Sequence, residues 1–144
     1  RQTVGRLDAI DIDMKSIQEA QAQNWSVLPI NFETADFMSD KFDTRWYNAV
    51  YSLDVFEHLE NGHGFLARLH GTAPVCIIGT PSRESQQYAS ALSKQGHINC
   101  MSGDELQKAC LNHWSHVFMF GMNDETLHTG FMPMSHYLFA LCVR

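Results

Sequence analysis

Short apolar runs alternate with helix-periodic stretches along most of the chain, and the last two apolar runs follow each other with no helix between them. Leu7-Asp-Ala-Ile-Asp-Ile12 reads as a strand interrupted by two acids. Asp13 suits the N-cap of a helix from about Met14 to Gln23, with Met14, Ile17 and Gln21 on one side and Ala20 near them. Val27–Phe32, which carries a proline, is a second strand near a sheet edge, and Tyr47–Leu53 is a third, rich in β-formers. A helix from about Asn61 to His70 follows, with Gly71 as its stop. Val75-Cys-Ile-Ile78 is a continuous apolar strand, broken by Gly79-Thr-Pro-Ser82. Glu84–Gln95 reads as a helix ended by Gly96. Ser102 and Glu105 form a capping box that opens a helix over Asp104–Asn112. His116–Gly121 and Tyr137–Val143 close the chain as strands. Alternation of this kind predicts a largely parallel sheet covered by helices on both faces. The final pair, lacking a crossover helix, must be mostly antiparallel. The expected class is therefore α/β with a reversed C-terminal strand.

Composition narrows the function classes. The 144 residues are 44% hydrophobic and 18% charged, enough for one cored domain. A formal charge of −6 argues against a non-specific nucleic-acid binder, which needs a basic face to displace counterions. The longest apolar runs, such as Tyr137–Val143, fall short of the ~20 residues that cross a bilayer. Arg1–Arg6 lacks the apolar stretch of a secretory signal, so a cytoplasmic location is expected. Cys76, Cys100, Cys110 and Cys142 include no C-x-x-C pair and are expected to be reduced, structural thiols. Cys110-x-x-His113-x-x-His116 straddles a helix and a strand and lacks a fourth ligand, so no metal site is expected there.

Three stretches carry a family likeness: Leu7–Ala20, an acid-ended strand with its helix; Tyr47-Asn-Ala-Val-Tyr-Ser-Leu-Asp-Val-Phe-Glu-His-Leu59; and the terminal strand pair. Together they resemble a class I S-adenosylmethionine-dependent methyltransferase, with Tyr47–Leu59 the most specific of the three. The resemblance implies a Rossmann-like sheet of strand order 3-2-1-4-5-7-6. In one respect the chain departs from the family. The first strand, its glycine-rich G-x-G loop and the following helix should precede residue 7, and Asn61-Gly-His-Gly64 is in the wrong place to replace that loop. The expectation is a single methyltransferase-like domain over residues 1–144, N-terminally truncated and part of a longer protein, in preference to a domain whose second and fourth strands close directly or whose gap another chain fills. Without that loop the isolated chain should bind its cofactor weakly.

The resemblance also implies site residues. Asp11, with Ile12 beside it, matches the acid that accepts hydrogen bonds from the ribose hydroxyls, a task suited to a group with only acceptors; capping the next helix is its alternative role. Asp36 and Phe37 are similar to the acid-plus-apolar pair that brackets adenine, with a solvated turn residue as the alternative role of Asp36. Leu53 and Asp54 end the strand where the cofactor's methionine portion meets the substrate, at a switch in strand order. Glu57 and His58 either face the acceptor or hold the loop. His97 is the candidate general base, with helix stop as its alternative role, and Asn99 either orients a substrate hydroxyl or binds the turn. His128–Met134 is a lid, a dimer contact or a plain surface connection.

The implied function is methyl transfer from S-adenosylmethionine to a small-molecule, sugar or glycan-precursor acceptor, with no nucleic-acid or membrane partner. Homo-oligomerisation through unpaired strand edges is the expected mode of association. One alternative is a non-catalytic remnant of the fold that works by association. A second is a nicotinamide-dependent oxidoreductase, in which an acid after the second strand also meets a ribose.

Overall fold

The computed structural model describes residues 5–24, 29–43 and 45–144. The chain divides into two compact units, Arg1–Asp43 and Thr44–Arg144. In the first, β1 (Leu7–Asp11) pairs in parallel with β2 (Ile30–Thr34), Leu7 opposite Ile30 and Asp11 opposite Thr34. Their crossover is α1 (Met14–Ala22), capped by Asp13, whose carboxylate accepts from the Lys15 and Ser16 backbone N–H groups. Ile17 is the buried residue of α1, whereas Met14 is exposed rather than packed beside it. Val27 and Leu28, the start of the expected second strand, lie outside the described residues.

The second unit holds a five-stranded sheet. Its strands are β3 (Ala49–Leu53), β4 (Val75–Pro81), β5 (His116–Asn123), β6 (Thr126–His128) and β7 (Tyr137–Val143), in the order β3-β4-β7-β5-β6. β3 and β4 are parallel, and β7 runs antiparallel to both β4 and β5. The last strand has thus slipped, reversed, between two strands of common direction, which is the 4-5-7-6 half of the expected order. One correction concerns the balance of ladders. A single reversed strand between two parallel ones creates two antiparallel ladders, and the β5–β6 hairpin adds a third. This sheet is therefore mostly antiparallel by ladder, where a largely parallel one was expected.

Three element boundaries also differ. β4 does not stop at Ile78 but runs through Gly79-Thr80-Pro81, because β7 supplies partners along its whole length. Pro81, with no N–H, falls at the last ladder position, where a missing donor matters least. α2 (Gly62–Thr72), capped by Asn61, contains Gly71 instead of stopping there. The expected Glu84–Gln95 helix is a 3-10 turn over Glu84–Tyr88 followed by α3 (Ala91–Gly96). Ser90 divides them by accepting the Ser93 N–H, a side-chain bond that competes with helix continuation. The capping box is present in both directions and opens α4 (Gly103–Leu111).

Strand alternation sorts the sheet into two faces. In the row Ser52, Ile78, Ala140, the first is 8% exposed and the others 0%. α2, which packs on β4, buries Phe65, Leu66 and Leu69, and α4 packs on β5 and β7. Each such side chain contributes about 1.5–3 kcal/mol by leaving water. The opposite row, Tyr51, Ile77 and Phe118, is 58%, 40% and 54% exposed. The expectation of cover on both faces therefore fails for this row. Cys76, Cys110 and Cys142 are buried free thiols; burial pushes the Cys76 thiol up, and the hydrogen bond with Cys142, with burial, does the same to Cys110. No helix among the described residues is long and apolar enough to cross a membrane.

Candidate functional site

The carboxyl ends of β3 and β4 are built around a glycine. Gly79 sits opposite Leu53 in the ladder, and a Cβ there would lie 2.6 Å from Leu53 Cδ2 and 2.8 Å from Tyr137 Cε1. Only glycine lets these two side chains close over β4. Asp54 follows at once with φ 54°, left-handed backbone that few residues other than glycine adopt. Its N–H donates to the Gly79 carbonyl at 3.1 Å. Its carboxylate is hydrogen-bonded with Tyr137; burial, then the Asp54 charge, push the phenol's pKa up. Among the described residues only Asp124, in the turn between β5 and β6, shares this positive φ, and residues so held are found at functional sites as well as in turns.

The chain then makes a 3-10 turn over Phe56–His58. Phe56 is fully buried and anchors it. Glu57, 1% exposed, is a carboxylate inside the protein, and its Oε2 accepts from Thr80 Oγ1 at 3.1 Å. A second loop, 97–101, docks on this turn: Asn99 N–H donates to the Glu57 carbonyl (2.9 Å) and Asn99 Nδ2 to the Phe56 carbonyl (3.3 Å). Gly62 makes room for that docking, since a Cβ there would collide with the Asn99 amide. The two loops bring His58 and His97 together with ring centroids 5.1 Å apart.

Both imidazoles have a defined tautomer. His58 Nδ1 lies 2.8 Å from the Gly96 carbonyl, which only accepts, so Nδ1 carries the proton. His97 Nδ1 lies 3.0 Å from Gln86 Oε1. The Gln86 amide is oriented by its Nε2 facing the Ser82 carbonyl at 3.5 Å, which turns the accepting oxygen toward His97. In the neutral form each ring then carries its lone pair on Nε2. That of His58 is 3.8 Å from Glu57 Oε1. Arg83 holds the neighbouring chain: its backbone N–H donates to Met101 O and its guanidinium pairs with Glu105 at 2.7 Å.

Of the residues singled out from the sequence, Leu53, Asp54, Glu57, His58, His97 and Asn99 all belong to this second unit, the last four in one cluster. His97 is the C-cap of α3, which is the second of its two expected roles. Asn99 spends its donors on the turn, which is the second of its two expected roles. The others lie in the first unit. Asp11 ends β1, and its Oδ1 accepts the Asp13 N–H at 2.7 Å. Ile12 is 72% exposed. Asp36 lies two residues past β2 and accepts the Met38 N–H, and Phe37 packs edge-on to Phe42 at 5.6 Å. The sequence reading missed Tyr137, Thr80 and Gln86. Tyr137 was within reach, because the first residue of a reversed strand must lie where the parallel strands end.

No protein-family model matches the chain, and no curated protein matches it in sequence. Solved structures do match its fold. A methyltransferase of Haloferax volcanii, solved in complex with the Trm112 methyltransferase activator, superposes with a TM-score of 0.75 at 17% identity, over 99% of this chain and 72% of that one. The fold is that of the class I S-adenosylmethionine-dependent methyltransferases. Magnesium protoporphyrin IX methyltransferase from Synechocystis PCC 6803, solved with S-adenosylhomocysteine, gives 0.69 at 19% identity, over 95% of this chain and 63% of that one. The small RNA methyltransferase HEN1 gives 0.74 at 14% identity, over 96% of this chain but 20% of that one. In a methyltransferase fold of this kind, the reversed β7 explains why Tyr137 meets Asp54 at the carboxyl end of β3.

Proposed function

We propose that this chain is a single methyltransferase domain, its two units together, that transfers the methyl group of S-adenosylmethionine to a hydroxyl-bearing small molecule. The observation that carries the reading is the strained Asp54 at the carboxyl end of β3, followed directly by the buried Glu57 and the paired His58 and His97. Ligands of open α/β sheets bind beyond these strand ends. In this reading Asp11 accepts from the ribose, Asp36 and Phe37 bracket adenine, and Leu53 and Asp54 flank the methionine portion.

Methyl transfer asks mainly for alignment, with the acceptor oxygen in line with the departing sulfur. His97 Nε2, left free by the Gln86 contact, takes the acceptor's proton as the new O–CH3 bond forms. The S–CH3 electron pair stays on sulfur and gives S-adenosylhomocysteine. Glu57 and His58 border the acceptor, and Asn99 keeps their turn in place. Neighbours of the fold are described as acting on RNA and on a porphyrin, so the acceptor class is argued from charge instead. A chain at −6 suits an uncharged or cationic small molecule better than a polyanion. Among the described residues β3 ends the five-stranded sheet, which supports association between copies as part of the same reading.

Calorimetric titration with S-adenosylhomocysteine tests this. Saturable heat is expected, with Asp11→Ala abolishing it and His97→Ala lowering turnover at unchanged affinity. A featureless titration favours the non-catalytic alternative, and displacement by NAD the oxidoreductase. The reversed β7 between β4 and β5 weighs against the latter.

A further inference from the structure

We infer that Glu57, His58 and His97 bind a divalent transition-metal cation. One donor atom from each residue lies within 4.8 Å of those of the other two. Distance alone would not carry the inference, since polar side chains often gather without an ion. Two further observations do. First, both imidazoles already have the support that metal-ligating histidines use, a fixed Nδ1–H donated away from the site. His58 gives its proton to the Gly96 carbonyl and His97 to Gln86. Second, Glu57 is a carboxylate with 1% exposure whose Oε1 faces His58 Nε2 at 3.8 Å. That nitrogen and that oxygen are separated by a distance that one cation bound to both would span. A buried carboxylate needs a compensating charge, which a cation bound beside Oε1 supplies, while Oε2 is met by the Thr80 hydroxyl.

Two imidazole nitrogens and one carboxylate oxygen select manganese, iron, cobalt or zinc over magnesium or calcium, which prefer oxygen throughout. Three protein ligands leave positions open for an acceptor oxygen. With the ion bound, the general-base step given above is replaced: the ion lowers the acceptor hydroxyl's pKa as a Lewis acid, His97 holds it, and the proton passes to water. This role rests on the methyl transfer proposed above, but the existence of the site does not. The sequence hides the triad because His97 is thirty-nine residues beyond His58, in a loop of a different helix.

The test uses cobalt(II) as a probe, titrated into the chelator-stripped protein and followed by its visible ligand-field absorption and by calorimetry. Saturation at one ion per chain is expected. His58→Ala and His97→Ala should each weaken binding more than about tenfold, and Gln86→Leu, which removes the support of His97 but no ligand, by about tenfold. Circular dichroism of each variant separates loss of a ligand from loss of fold. S-adenosylhomocysteine titrated into the same samples reports the cofactor site independently, so cobalt binding can hold while the methyltransferase reading fails, or the reverse. Absence of saturable binding, binding that survives both histidine substitutions, or ready displacement by magnesium would each overturn the inference.

Discussion

His70 and His113 flank Trp114, with ring centroids 5.5 and 6.0 Å from the indole. Burial lowers both pKa values below 6.5, helped by the Arg144 charge at His70 and by His63 at His113. The folded chain therefore binds fewer protons than the unfolded chain just below the ordinary histidine value. Stability is fully present above about pH 6.5 and is lost as the pH falls through it, until the folded pKa values are passed. Thermal melts at about pH 7.5 and about pH 5.5 should show a lower melting temperature in acid, and His113→Gln should narrow the gap. An unchanged gap in the variant would remove His113 from this account. At this scale some roles were legible in the residues and others were hidden. Asp13 as a cap and the Ser102–Glu105 box were legible because their partners are three residues off, within reach of local geometry. Gln86 was not, because its importance is a contact to His97 made by folding.

Among the elements, β4 departs furthest from its local signal. Gly79-Thr-Pro reads as a break, yet β7 holds it in the ladder through Pro81. Tertiary pairing overrides propensity here, as it commonly does in strands. The extension matters because it carries Thr80 to Glu57 and leaves Gly79 under Leu53 and Tyr137. Gly79→Val should destabilise the chain by about 1–3 kcal/mol through overpacking, read as a shifted urea midpoint. Thr80→Val, which changes no bulk, should cost less while leaving Glu57 short of a donor. Equal midpoints for Gly79→Val and the parent would mean that Leu53 and Tyr137 move aside freely. The strand and helix order and the reversed last strand were legible from alternation and from the missing crossover. The open face of the sheet was not, because a strand flanked by helices in sequence does not say how many helices reach each side.

Across the whole molecule, the two units differ in how much they bury. Thr44–Arg144 holds nearly all the buried apolar residues, while Ile17 is the one described in Arg1–Asp43. A two-stranded ribbon with one helix is marginal by itself. Amide exchange should be fast in β1 and β2 and slow in β4 and β7, which hydrogen-exchange mass spectrometry reads directly. Equal protection in both would contradict the division. The single buried side chain of α1 has a consequence for ligand binding. For the first forty-three residues, a nucleoside gripped by Asp11 and Asp36 would be a folding partner as much as a cargo. At a hundred times its dissociation constant it would add about 2.7 kcal/mol to their order, slowing their opening about a hundredfold while the helix-backed strands barely respond.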